Sequence, residues 1–155
     1  MLEVSSDQKL NGIDFQILRL LQEDSRMSYR KIADAIGMAV GTVYNRIKRL
    51  EDEGVLKAYT VMVDTTKIGY DLTAVILIQA EGLHLAEVEK KIAQSDYTIC
   101  VYDITGDFDI AVIARFRNRS MLNNFIKGIL KIPHVTRTVT NVTLNVVKED
   151  FRIKV

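Results

Sequence analysis

The segment Ser28 to Leu56, SYRKIADAIGMAVGTVYNRIKRLEDEGVL, decides the fold of the first third of the chain. Ser28 offers a hydroxyl to the free amides of a first helical turn, and Ile32, Ala33 and Ile36 give the helix that follows one apolar face. Gly37 comes next and suits the left-handed conformation that ends a helix. A second helix is expected from Val40, because Val40, Val43, Ile47 and Leu50 recur at spacings of three, four and three and so share one stripe. Helices this short, joined this tightly, cross steeply. That outline, closed by Gly54, is a helix-turn-helix, whose second helix enters a DNA major groove.

Opposite the apolar stripe stand Gly41, Thr42, Asn45, Lys48 and Arg49, a neutral to basic face without carboxylates. Asn and Arg make bidentate contacts to adenine and guanine edges, while Lys, Thr and a close backbone at Gly suit phosphates. Tyr44 and Arg46 flank this face, and Arg46 either touches a phosphate or pairs with Glu51 or Glu53. Ser28, Arg30 and Lys31 on the preceding helix complete the expected DNA-binding set. A solvated surface helix with a few basic residues has the same pattern, so the flanks are needed to separate the readings. An earlier helix, Gly12 to Glu23, starts at Asn11 with Asp14 three residues on, and its Ile13, Ile17, Leu20 and Leu21 supply the third wall of a small core. After Gly54 the run Val55 to Val63 is β-rich and is expected to form a minimal wing or a strand leading away.

The stretch from Asp64 to Leu72 is polar, carries Gly69 and is expected to be a hinge. Beyond it the pattern predicts a strand at Thr73 to Ala80, a helix at about His84 to Gln94, strands at Tyr97 to Thr105 and Asp107 to Phe116, a helix from Ser120 to Lys131 and a last strand near Val135 to Val147. The order β-α-β-β-α-β is ferredoxin-like, an antiparallel sheet with two helices on one face. The fold class is therefore α+β, with a three-helix module at residues 1–60, a linker at 61–72 and a ferredoxin-like domain at 73–155. Ala74, Ile76 and Ile78 alternate with Val75 and Leu77, and Ile110, Val112 and Ala114 with Ala111 and Ile113, so both sheet faces are apolar. One face is covered by the chain's own helices; the other calls for a second subunit, or for the amino-terminal domain folded over it.

Composition adds limits. The chain has 155 residues, 48% of them apolar, enough for one ordinary domain or two small ones. A net charge of +1 gives no global attraction to nucleic acid, so any attraction comes from arrangement; from Arg26 to Lys57 basic residues exceed acidic ones by three. The lone Cys100 excludes an internal disulfide framework, the isolated His84 and His134 give no metal cluster, and no cofactor is expected. The longest apolar run, Ala74 to Ile78, is too short to span a bilayer, and nothing resembles a signal peptide, so a reducing cytoplasm is the expected location. An enzyme on the ferredoxin-like domain is the competing class, but His84, His134 and Cys100 form no nucleophile and base motif, and Asp103, Asp107 and Asp109 read as turn acids. A weakly specific DNA organiser is a further alternative.

In these segments the chain resembles the leucine-responsive regulatory protein/AsnC family of transcription regulators. The resemblance rests on Leu10 to Asp14, Ile17-Leu18, Arg26 to Ser28, Ile32-Ala33, Thr42 to Glu51, Gly54 to Leu56, Thr105 to Asp109 and Ile132 to Val135, and so covers nearly all of the chain. It implies a sequence-specific regulator that binds double-stranded DNA, pairs through the second domain and assembles from homodimers to tetramers or octamers. Two recognition helices on a two-fold axis would meet grooves roughly 34 to 36 Å apart and select a pseudo-palindrome. The resemblance also implies an amino-acid effector site between subunits, around Gly106, Asp107 and Asp109, with Cys100, Tyr102, Thr138 and Asn141 as weaker candidates. An acidic loop suits an ammonium group, yet Gly106-Asp107 is also an ordinary hairpin turn that Asp109 caps. Four positions depart from the family pattern. Ala39 stands where Ser or Thr is usual, a lost cap of about 1 kcal/mol. Lys31 stands for an acidic residue, Asn11 for Asp, and His134 for Gly.

Overall fold

The first helix begins where two side chains satisfy each other's neighbours. The Asn11 side chain accepts from the amides of Ile13 and Asp14, and the Asp14 carboxylate accepts from the Asn11 amide, a complete capping box that opens α1 (Gly12–Glu23). Helix α2 (Tyr29–Ile36) has half of that device: Ser28 Oγ accepts from the Lys31 amide, and Lys31 carries no acceptor to return the bond. It ends at Gly37, whose φ of 70° is open to glycine at little cost. Helix α3 (Val40–Asp52) starts at Ala39 with no side-chain cap.

The computed structural model describes residues 10–155, in two units: residues 10–62 with 150–155, and residues 63–149. The helical unit closes on Ile17, Leu21, Ile32, Ala33, Val43, Ile47 and Leu50, all buried. Burying each Val, Ile or Leu side chain there contributes roughly 1.5–3 kcal/mol. Val40, expected in the stripe, is instead 45% exposed; it sits in the first turn of α3 at the stripe's edge, outside that core. The β-rich run after Gly54 forms no strand among the described residues. Strand propensity is expressed only against a pairing partner, and here the run is held by another bond, Tyr59 Oη donating to Glu51 at 3.0 Å. In the same unit the Arg19 guanidinium donates to the Val155 carbonyl oxygen, tying the terminal residues to α1.

The second unit is a four-stranded antiparallel sheet in the order β2-β3-β1-β4, built from β1 (Leu72–Ala80), α4 (Leu85–Ala93), β2 (Thr98–Asp103), β3 (Ile110–Phe116), α5 (Arg119–Ile129) and β4 (Val135–Val142). A short 3₁₀ turn, Gly82–His84, precedes α4. This is the expected β-α-β-β-α-β arrangement. Ala74, Ile76, Ile78, Ile110, Val112, Ala114 and Phe116 face Val88, Ile92 and Ile129 across one core. Strand β4 ends five residues earlier than its composition suggests. Thr143 still donates to Thr73, but β1 begins at Leu72, so the residues beyond have no backbone to pair with. On the opposite face Val75, Leu77, Ala111 and Ile113 are half-buried, and Arg115 there is ion-paired with Glu149.

The missing cap at Ala39 is open to a direct test. Ala39→Ser should raise stability by about 1 kcal/mol, read as an upward shift of the urea midpoint with unchanged slope. No shift would mean that the α3 amides are already satisfied.

Candidate nucleic-acid interface

Helix α3 has three longitudinal zones. Val43, Ile47 and Leu50 face the core. One flank carries Arg46 and Arg49, three residues apart and so neighbours on the helix surface. Both guanidiniums grip one carboxylate: Arg46 Nη1 lies 2.8 Å from Asp14 Oδ1, and Arg49 Nη2 lies 2.7 Å from Asp14 Oδ2. Arg46 also donates to the Asn11 side chain at 3.3 Å, and Arg49 Nε lies 3.7 Å from Glu53. Asp14 itself is fully buried. Burial pushes its carboxyl up, but the Asn11 amide and the two arginines together outweigh this and hold it below the ordinary 3.8. The other flank carries Tyr44, whose ring meets Tyr29 of α2 edge-to-face at 5.7 Å, and Glu51, which accepts from Tyr59. Burial, then the Glu51 carboxylate, push the Tyr59 hydroxyl up to about 12, so it stays a donor at neutral pH.

The expected arrangement of the helix is therefore corrected on one side. Arg49, expected to reach outward to base edges, is turned along the helix toward Asp14, and Arg46 pairs with Asp14 rather than with Glu51. Between the flanks Gly41, Asn45 and Lys48 remain exposed, with Thr42 half-buried beside them. Ser28, Arg30 and Lys31 are exposed on α2, and Ser28 is occupied in capping it. A Cβ added at Gly41 would meet nothing within 4 Å, so the backbone there is open to close approach. Sequence reasoning missed Asp14 as the partner of the arginines. The available signal was a helix-start carboxylate and two arginines at a spacing of three, each with a local explanation of its own.

The profile for winged helix-turn-helix DNA-binding domains matches residues 10–57, and that for the Lrp/AsnC ligand binding domain matches residues 73–153. The chain belongs to the Lrp/AsnC family. A relative described as an HTH-type transcriptional regulator of Pyrococcus horikoshii is 53% identical over 94% of this chain and 99% of its own length. The structure of Escherichia coli AsnC superposes with a TM-score of 0.85 at 22% identity, covering 95% of this chain and 99% of that one. A Neisseria meningitidis transcriptional regulator in complex with L-Met superposes with a TM-score of 0.83 at 20% identity, covering 94% and 96%. This Lrp/AsnC chain is thus a transcriptional regulator with a helix-turn-helix DNA-binding domain and a ligand-binding domain. Among the described residues no helix is long and apolar enough to cross a membrane.

In the ligand-binding domain, strand register places Cys100 and Tyr102 opposite Ile113 and Ala111, and Asn141 opposite Val75, on the sheet face turned away from the helices. Thr138 pairs with Ile78 and so belongs to the helix-covered face, apart from the others. Gly106 and Asp107 are exposed in the β2–β3 hairpin. Asp109 closes the hairpin through its backbone carbonyl, which accepts from the Ile104 amide at 2.8 Å, while its carboxylate, expected to cap the turn, is directed to β1 instead and accepts from the Ala80 amide at 2.9 Å. The two histidines, read from sequence as isolated, are not. His84 and His134 stack with ring centroids 3.5 Å apart, beside Glu81. A separation of fifty positions in sequence conceals that meeting, which depends on β1 and β4 being neighbours.

Asp14 gives a stability prediction with a pH signature. Asp14→Asn keeps an acceptor for the Asn11 amide but removes the charge, and should cost about 3 kcal/mol at neutral pH. The depressed carboxyl contributes fully above the unfolded value near 3.8, and the contribution is lost as pH falls through the lower folded value. Urea denaturation from pH 7 downward should therefore show the wild-type advantage shrinking below about pH 4. A constant gap across that range would show that the carboxylate is not ionised by these partners.

Proposed function

We propose that the chain is a sequence-specific DNA-binding transcription regulator that works as a dimer or higher oligomer and responds to an amino acid. The observation that carries the DNA reading is the exposed strip of Gly41, Asn45 and Lys48 on α3, whose first carboxylates, Glu51 and Asp52, come only at the helix end, with Arg30 and Lys31 also exposed on α2. Asn45 supplies the side chain suited to adenine, Lys48, Lys31 and Arg30 supply phosphate contacts, and Gly41 and Thr42 line the helix start. In this reading Arg46 and Arg49 set the pose of α3 through Asp14, rather than reading bases. The apolar outer face of the sheet, with Val75, Leu77 and Ile113 only half-buried, supports pairing with a second copy. A two-fold pair would recognise a pseudo-palindrome. The amino-acid effector rests on the ligand-binding domain, the acidic hairpin at Gly106 and Asp107, and the L-Met bound by the Neisseria relative in fold.

Gel-shift titrations at several salt concentrations on preferred and random duplexes test the assignment. Asn45→Ala should lose about 1 to 3 kcal/mol on the preferred site and flatten the preference. Lys48→Ala and Lys31→Ala should weaken all sequences and lower the salt slope by about 1 each. Gly41→Ala should fold at least as well and yet bind DNA more weakly if the backbone approaches a phosphate. An equal loss for Asn45→Ala on every sequence would move Asn45 to the phosphate contacts, and a wild type that binds preferred and random duplexes alike would make the protein a weakly specific DNA organiser. Sedimentation should give at least a dimer that Leu77→Asp disrupts, and calorimetric titration with free amino acids should give heat attributable to one or a few of them. A monomeric wild type would remove the paired-site reading.

A further inference from the structure

The fold brings the chain's two histidines to one surface spot with a carboxylate, by a mechanism written into the backbone. Glu81 and His84 are three residues apart in the 3₁₀ turn, where the His84 amide donates to the Glu81 carbonyl at 2.9 Å. Side chains at that spacing in a 3₁₀ turn lie on the same side. The Glu81 amide in turn donates to the His134 carbonyl at 3.0 Å, which clips the third residue to the same turn. His134 has a φ of 73°, the left-handed region disfavoured for a side chain, and the structure holds a histidine there all the same. Its Nδ1 lies 2.8 Å from Glu81 Oε2. One ligand atom from each of Glu81, His84 and His134 falls within 4.8 Å of the other two. A second carboxylate, Glu87, lies 4.0 Å from His84 Nδ1 and is also paired with Lys91.

We propose that Glu81, His84 and His134 form a binding site for a first-row divalent transition metal ion, Zn²⁺ foremost, with water in the remaining position. Two imidazoles and a carboxylate suit zinc, and bonds of about 2.0–2.1 Å in a tetrahedron set donors roughly 3.3 Å apart. The Glu81 and His134 atoms are already near that separation. Each imidazole lone pair lies in its ring plane, so the two near-parallel rings open on binding. His84 is 40% exposed by side chain and turns without disturbing the core. Glu87 adds negative charge that attracts the cation and is placed to orient His84 from outside the coordination sphere.

The test is equilibrium dialysis and calorimetry of the full chain with Zn²⁺ alone, and visible absorption with Co²⁺ in its place. One equivalent per chain is expected, with d–d bands from bound Co²⁺ and an upward shift of Tm on adding Zn²⁺. His84→Ala and Glu81→Gln should each weaken binding at least about tenfold. His134→Gly is the control for folding, since glycine suits that backbone angle: it should melt at least as high as the wild type without metal while losing the site. No binding by the wild type, or binding unaffected by His84→Ala and His134→Gly, would overturn the proposal. Neither DNA nor an amino acid enters the assay, so its outcome is separate from the regulatory reading.

Discussion

A single buried carboxylate holds the helical unit in register. Asp14 is fully buried, where an ionised group costs several kcal/mol unless its lone pairs are satisfied. It meets that condition with a backbone amide and two guanidiniums, and the same contacts make it a joint. The amide belongs to the start of α1, while both guanidiniums belong to α3, so the bond that caps one helix also fixes the rotation of the other. A hydrophobic stripe alone leaves a helix free to roll by tens of degrees, because apolar contacts are not directional. Charge-assisted bonds to Arg46 and Arg49 remove that freedom and decide which residues of α3 look outward.

What was legible in the sequence follows from the same physics. Local signals read well: the Asn11 and Asp14 capping box gives α1 its observed start, Gly37 its φ of 70° at the end of α2, and alternation gives the two-faced strands β1 and β3. Signals that need a partner read poorly. Helical periodicity put Arg49 on the polar side of α3 but could not show Asp14, thirty-five residues earlier, waiting beside it. The run from Val55 to Val63 has strand composition without a strand to pair with, and β4 stops where β1 begins. Hydrophobic patterning supplied the order of elements, and the family resemblance implied what they do. It did not supply what is particular to this chain, such as the stacked histidines at the turn before α4.

The sheet is asymmetric in the same instructive way. Its inner face is closed by Val88, Ile92 and Ile129, and the aromatic group of Tyr97, Phe116 and Phe125 fills the space between strands and α5. Its outer face keeps Val75, Leu77 and Ile113 half-covered and brings Cys100, Tyr102 and Asn141 onto that same surface. Three of the residues expected from the family pattern to sense a ligand thus share a face with residues suited to a second copy. A ligand that bound there would act on pairing directly, because any free energy it gains from one arrangement of two subunits over another shifts their equilibrium by that amount.

Electrostatics gives the proposed pairing a purpose in a chain with a net charge of only +1. With Arg46 and Arg49 paired to Asp14, the phosphate contacts proposed for one helical unit are Arg30, Lys31 and Lys48. Each phosphate neutralised contributes to affinity through released counterions, and three such contacts give weak, strongly salt-dependent binding. Adding cations to α3 would raise that affinity for every sequence alike and erode selection. Joining two units would instead make the second contact intramolecular, at an effective concentration set by the link between them, and would multiply the discrimination proposed for each Asn45 by that of its twin. In the proposed dimer, modest charge on the recognition helix and a half-covered apolar sheet face would be complementary: the first would keep one unit from binding indiscriminately, and the second would supply the pairing that makes selective binding tight.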